Sequence, residues 1–172
     1  INRTLMNALF LTVTPKGWIV VTDAGNHCVN IFSKEGTLLK KFGSHGEDIG
    51  QFNFPSAIAS DKSNRLYVLD TRNHRVQIFN QDGKFVHQFG QQGELPGQLA
   101  SPRGIAVDHQ GHILVADSLN RIQVFTNDGA FVSCIDSQDD PISEPYNMAV
   151  TSDGHVYMAD FKNCCIKKYK YL

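Results

Sequence analysis

Apolar residues along this 172-residue chain come in short runs separated by tight polar turns. Leu66-Tyr67-Val68-Leu69, Ile113-Leu114-Val115-Ala116 and Val156-Tyr157-Met158-Ala159 are almost wholly apolar. Runs this short predict strands buried on both faces. Before each run stand a proline (Pro55, Pro102 or Pro145), a short apolar segment and a polar turn such as Asp108-His109-Gln110-Gly111. Gly and Asn tolerate the positive φ that a tight hairpin needs. After the run the pattern changes to alternation: Val76 and Ile78 flank Gln77, and Ile122 and Val124 flank Gln123. Period-two alternation predicts a half-buried strand. A second turn, at Glu35-Gly36, Asp82-Gly83 or Asp128-Gly129, leads to a more polar last strand over residues 38–42, 85–89 and 131–135.

No segment has a sustained helical period. The frame itself repeats: Asp23, Asp70, Asp117 and Asp160 recur at steps of 47, 47 and 43 residues. Four-stranded antiparallel units of this length in tandem predict an all-β chain of about four β-propeller blades. The blades are expected near residues 1–45, 46–92, 93–138 and 139–172. The fourth runs out after its third strand, and open blade edges invite pairing with another chain, so self-association is expected.

Between the buried run and the alternating strand lies a polar knot, Asp70-Thr71-Arg72-Asn73-His74-Arg75 in the second unit. An acid, a histidine and two guanidiniums so close together resemble a catalytic site. Their recurrence argues otherwise, because four tandem active sites are less plausible than one repeated structural device. Asp23, Asn26 and His27; Asp70, Asn73 and His74; Asp117 and Asn120; and Asp160 and Asn163 are therefore read as a structural repeat motif. An Asp at such a turn accepts backbone N–H bonds. Function is sought in what differs between copies. Arg72, Arg75, Arg103, Arg121 and Lys162 fall in loops with Tyr146 and Phe161, and arginines beside aromatics are the usual anchors of a binding surface.

Composition narrows the partners. A net charge of -1 and a pI near 6.7 give no global pull on nucleic acid or anionic membrane. No apolar run approaches the roughly 18 residues of a membrane helix, so no membrane partner is expected. The cysteines Cys28, Cys134, Cys164 and Cys165 lack paired C-x-x-C spacing. They are read as free thiols of a reducing, cytoplasmic compartment, with one of the vicinal pair Cys164-Cys165 facing in and the other out. The sequon Asn2-Arg3-Thr4 has no consequence there. His45, His87, His109, His112 and His155 show no ligand spacing, and no metal site, cofactor or catalytic residue is expected in this chain. The glycines of Gly43–Gly50 belong to a linker between blades, with no helix to make them a phosphate cradle.

Asn73-His74-Arg75-Val76-Gln77-Ile78-Phe79 closely resembles the signature of NHL repeats, and Asn26-His27-Cys28-Val29 is similar to it. Asn120-Arg121-Ile122 lacks the His, and Asn163-Cys164-Cys165-Ile166 replaces it. The resemblance covers essentially the whole chain. The ending, through Asp160 to Tyr171, resembles the last blade of the tripartite-motif NHL proteins. That family implies a six-bladed NHL propeller, of which these would be the C-terminal four blades, open at both ends. It also implies a substrate-recognition module of a RING-type E3 ubiquitin-protein ligase, with protein substrates of ubiquitination as partners. The ligase activity, and any zinc, would belong to the RING and B-box regions of a longer parent. RNA is the alternative partner, because several propellers of this family bind it on an electropositive face. A metal-dependent lyase built on a related propeller is a third reading, and the absent ligand constellation argues against it.

Overall fold

The computed structural model describes residues 5–135 and 140–171; the sequon at Asn2 and the third-to-fourth blade boundary lie outside them. Among the described residues fifteen strands form four antiparallel sheets, each a meander in chain order. The first holds β1 (Ala8–Val13), β2 (Ile19–Asp23), β3 (Cys28–Phe32) and β4 (Leu38–Phe42). The second holds β5 (Pro55–Ser60), β6 (Leu66–Asp70), β7 (Arg75–Phe79) and β8 (Phe85–Phe89). The third holds β9 (Gly104–Val107), β10 (Ile113–Asp117), β11 (Arg121–Phe125) and β12 (Phe131–Ile135). The fourth has three strands among the described residues, β13 (Pro145–Val150), β14 (His155–Asp160) and β15 (Cys165–Lys170). These are propeller blades, with β1, β5, β9 and β13 as their innermost strands.

Three apolar cores hold the blades together, each between consecutive sheets. Val20, Ile31 and Phe52 meet Ile58, Val68 and Phe79. Leu69, Val76 and Ile78 meet Ile105, Val115 and Phe125. Leu114, Ile122 and Val124 meet Met148, Val156 and Met158. Among the described residues no such cluster joins the fourth blade to the first. Leu11 and Val13 on one side, and Ile166 on the other, are accordingly 60%, 58% and 68% exposed. The innermost strands approach closely: a Cβ on Gly104 would lie 1.8 Å from the carbonyl oxygen of Tyr146.

Burial departs from the alternation in the sequence. Strands β7 and β11 are buried along almost their whole length, including Gln77 and Gln123. The reason is the linker that leads to each inner strand. Gln77 accepts from the Gly50 N–H at 2.9 Å and donates to the Gln51 carbonyl at 2.7 Å. Gln123 treats Gly97 and Gln98 the same way, at 2.8 and 2.6 Å. The polar face of these strands is covered by backbone rather than wetted, and its amides are satisfied. The vicinal cysteines also differ from expectation: Cys164, in the turn, and Cys165, on β15, are both exposed, and among the described residues no further strand pairs with β15.

Candidate partner-binding face

The pairing register places the knots. Pro55 pairs with Asp70, Asp70 with Arg75, and Val76 with Phe89. The start of the innermost strand, the loop between second and third strands and the end of the outer strand therefore share one end of the blade. The same register recurs in the other blades. The knots and the described linker residues thus lie on one face of the propeller, and the short hairpin turns lie on the other.

Within a knot the Asp works inside its own blade. Asp70 accepts the Asn53 N–H at 2.7 Å, the Asn73 amide at 2.8 Å and Arg75 Nε at 2.8 Å. Asp160 accepts the Ser143 and Asn163 N–H groups at 3.0 and 3.1 Å, and Asp23 those of Met6, Asn7 and Asn26. Burial pushes each of these carboxyls up. At Asp23 and Asp160 the donors outweigh it and hold the group below the usual carboxylate range, whereas at Asp70 burial wins. The His works between blades. His27 Nδ1 accepts the Phe54 N–H at 3.1 Å, and His74 Nδ1 accepts the Ser101 N–H at 3.0 Å.

The third knot corrects the sequence alignment. It is one residue shorter, and Asn120 does not correspond to Asn73. It precedes Arg121 as His74 precedes Arg75, has the same left-handed backbone (φ 59 against 52), and its Oδ1 accepts the Glu144 N–H at 2.9 Å. The missing residue is the Asn, and Asn120 does the work of the His. In the fourth knot Cys164 takes this left-handed position.

The seven residues singled out for partner binding separate into two groups. Arg75 is buried: its Nε meets Asp70, and its other nitrogens bond Gln88 and the carbonyls of Asp48 and Gln51, all at 3.0 Å or less. Arg121 repeats this with Asp117 and the carbonyls of Glu94 and Gln98. These two guanidiniums clamp the linkers and present no free edge to a partner. The other five remain on the face. Arg72 lies over the ring of Phe54, with 4.8 Å from guanidinium carbon to ring centroid. Arg103 lies over Tyr146 at 5.4 Å, and Tyr146 meets Phe161 at 5.6 Å between centroids. Lys162 follows Phe161 and is exposed.

A cavity of about 360 Å³, lined by Arg103 and Tyr146 of these five, opens at the mouth of the propeller axis, and Arg72 lines a neighbouring polar depression with Glu47 and Gln92. All four sheets contribute to the cavity: Leu9 and Phe10 from the first, Phe54 beside the second, Pro102 and Arg103 from the lead-in to the third, and Tyr146 from the fourth. Phe54 is not marked by the repeat pattern, and Pro102 is marked there only as the start of a blade. The signal was available in the frame, since Phe54, Ser101 and Glu144 occupy the one position before each proline and differ in every copy. All three have positive φ, between 42 and 61, which turns their side chains away from the strand direction. Among the described residues no group of three or more His, Cys, Asp or Glu side chains could hold a metal ion. No helix among them is long and apolar enough to cross a membrane.

A family model described as a 6-bladed beta-propeller matches residues 55–171. Among curated proteins none matches. Solved structures share the fold. Catalytically inactive virginiamycin B lyase from Staphylococcus aureus with quinupristin superposes with a TM-score of 0.71 at 16% identity, over 94% of this chain and 55% of that one. A streptogramin B lyase gives 0.70 at 17% identity, over 96% and 55%. BamB from Moraxella catarrhalis gives 0.66 at 11% identity, over 94% and 42%. The chain thus spans about half the length of the lyases it resembles.

Proposed function

The chain belongs to the 6-bladed beta-propeller family, and from that premise we propose that it is a protein-interaction module that binds through its knot-and-linker face. The observation that carries this reading is the cavity at the axis, lined by Phe54, Arg103 and Tyr146, with Arg72 packed on the Phe54 ring. A rigid scaffold that presents arginine and aromatic side chains around an apolar depression has the make-up of an interaction hot spot. The resemblance of the repeats to those of tripartite-motif NHL proteins, and of the last blade to tripartite motif-containing protein 32, supports a finer reading. The module then selects substrates for a RING-type E3 ubiquitin-protein ligase whose catalytic region lies in a longer parent. The same two arginines support RNA as the alternative partner, acting in post-transcriptional regulation.

The test is affinity capture from cell lysate with the wild-type chain and with a chain carrying both Arg72→Ala and Arg103→Ala, each with and without nuclease. Proteins retained after nuclease and lost on the double substitution support the reading, and ubiquitin machinery among them supports the finer one. Partners that vanish with nuclease would replace it by the RNA reading. Partners indifferent to the substitution would remove this face from the account.

A further inference from the structure

We infer that the axial cavity seats one apolar side chain of an acidic peptide, whose carboxylates pair with Arg72 and Arg103; this rests on the protein-interaction reading above. The cavity's own chemistry specifies the anchor. Its walls are largely Leu9, Phe10, Phe54, Pro102 and Tyr146. Two of the hydroxyl residues that line it are already engaged, Ser56 Oγ meeting Thr71 Oγ1 at 2.5 Å and Thr71 donating to the Pro102 carbonyl at 2.9 Å, and the other two, Ser101 and Tyr146, are exposed residues whose hydroxyls can be satisfied by solvent. An incoming group is therefore asked for no hydrogen bond and gains most by being apolar. At about 360 Å³ the space is near the lower end of ligand cavities, room for one large side chain and its flanking backbone.

The rim specifies the flanks. Among the described residues Arg103 is the one charged side chain that lines the cavity and no carboxylate lines it, while Arg72 packs on its Phe54 wall and lines the neighbouring depression with Glu47. Among the described residues neither arginine forms an ion pair, in contrast to Arg75 and Arg121, which hold Asp70 and Asp117. Two guanidiniums with free N–H edges, Arg103 on the cavity and Arg72 on the ring of its Phe54 wall, favour carboxylates, which they bond in a charge-assisted and often bidentate way. Single-stranded RNA needs open aromatic faces for its bases, and one face each of Phe54 and Tyr146 is taken by a guanidinium, which leaves Phe161 as the exposed ring for a base.

Selection of a phage-displayed library of random peptides on the full chain tests this, followed by fluorescence anisotropy with the most enriched peptide. The enriched peptides should carry a large apolar residue flanked by Asp or Glu. Changing those acids to Asn and Gln should weaken binding about tenfold or more, as should combining Arg72→Ala with Arg103→Ala. The peptide-side change keeps the result independent of any effect on folding. Enriched peptides that bind equally well without their acids, yet still require the two arginines, would overturn the acidic partner and leave the interaction face standing. Peptides indifferent to both changes would overturn the two together. No enrichment, with an oligouridine probe binding through the two arginines instead, would overturn both in favour of RNA.

Discussion

The imidazole of His27 and the backbone of Phe54 are joined across the boundary between the first two blades, with the Phe54 N–H donating to Nδ1 at 3.1 Å. Both residues are held in the left-handed region, at φ 52 and 61. An L-residue reaches that region at a cost, and the bond offsets it at the point where one blade hands the chain to the next. His74 and Asn120 repeat the clasp at the next two boundaries. The histidine of the repeat is thus an acceptor between blades, which explains why an Asn can replace it.

An acceptor Nδ1 must be unprotonated, so this clasp is sensitive to pH. Burial first, then the neighbouring His45 and the Arg72 cation, hold His27 below its ordinary value of 6.5, against the opposing pull of Asp70. A depressed imidazole contributes stability that is full above about 6.5 and is lost as pH falls toward the folded-state value. Thermal unfolding followed from pH 8 to pH 5 should show that loss, and His27→Asn should flatten its His27 component. His27→Ala at pH 8 should cost about 0.5–1.5 kcal/mol, the worth of one such bond.

Arg72 and Arg75 differ by three positions and should behave oppositely. Arg75→Ala strands the buried carboxylate of Asp70 and should cost roughly 3–5 kcal/mol in denaturant unfolding. Arg72→Ala should change stability by no more than about 1 kcal/mol, the scale of an exposed cation–π contact. Its effect should fall on partner capture instead.

Gly104 sits where the inner strands of the third and fourth blades nearly touch. Gly104→Ala would place a methyl group 1.8 Å from the Tyr146 carbonyl oxygen, so β13 must move away. Small-to-large changes in packed sites cost about 1–3 kcal/mol. The displaced strand carries Tyr146, so the variant should also weaken partner capture, whereas Ala106→Gly on the same strand should lower stability alone.

The buried amides make a further prediction. Gln77→Leu leaves the Gly50 N–H without its acceptor and the Gln51 carbonyl with Arg75 as its remaining donor, and should destabilise by about 1–3 kcal/mol. Gln88→Leu, on the exposed neighbouring strand, should cost less. Comparing their midpoints in urea separates a linker clamp from ordinary strand packing.

The blades, their strands and the repeat motif were legible in the sequence because hydrophobic period and turn residues are local signals. Which polar residues are buried was not, because that depends on a linker some 26 residues away in sequence folding over Gln77. Arg75 and Arg72 have the same local character, and only the register of β7 against β6 directs one inward. The position of Asn120 was misread because a one-residue deletion can be placed on either side of it. Phe54 is not marked by the repeat, because the position before each proline varies from copy to copy.

The central claim is that partners bind on the face of knots and linkers. Hydrogen exchange of the chain, with and without a peptide selected on it, tests this most directly. Protection concentrated at residues 53–56, 71–74, 101–104 and 144–147 is the predicted result. Protection confined to the hairpin turns at residues 61–65, 108–112 and 151–155 on the opposite face would contradict it.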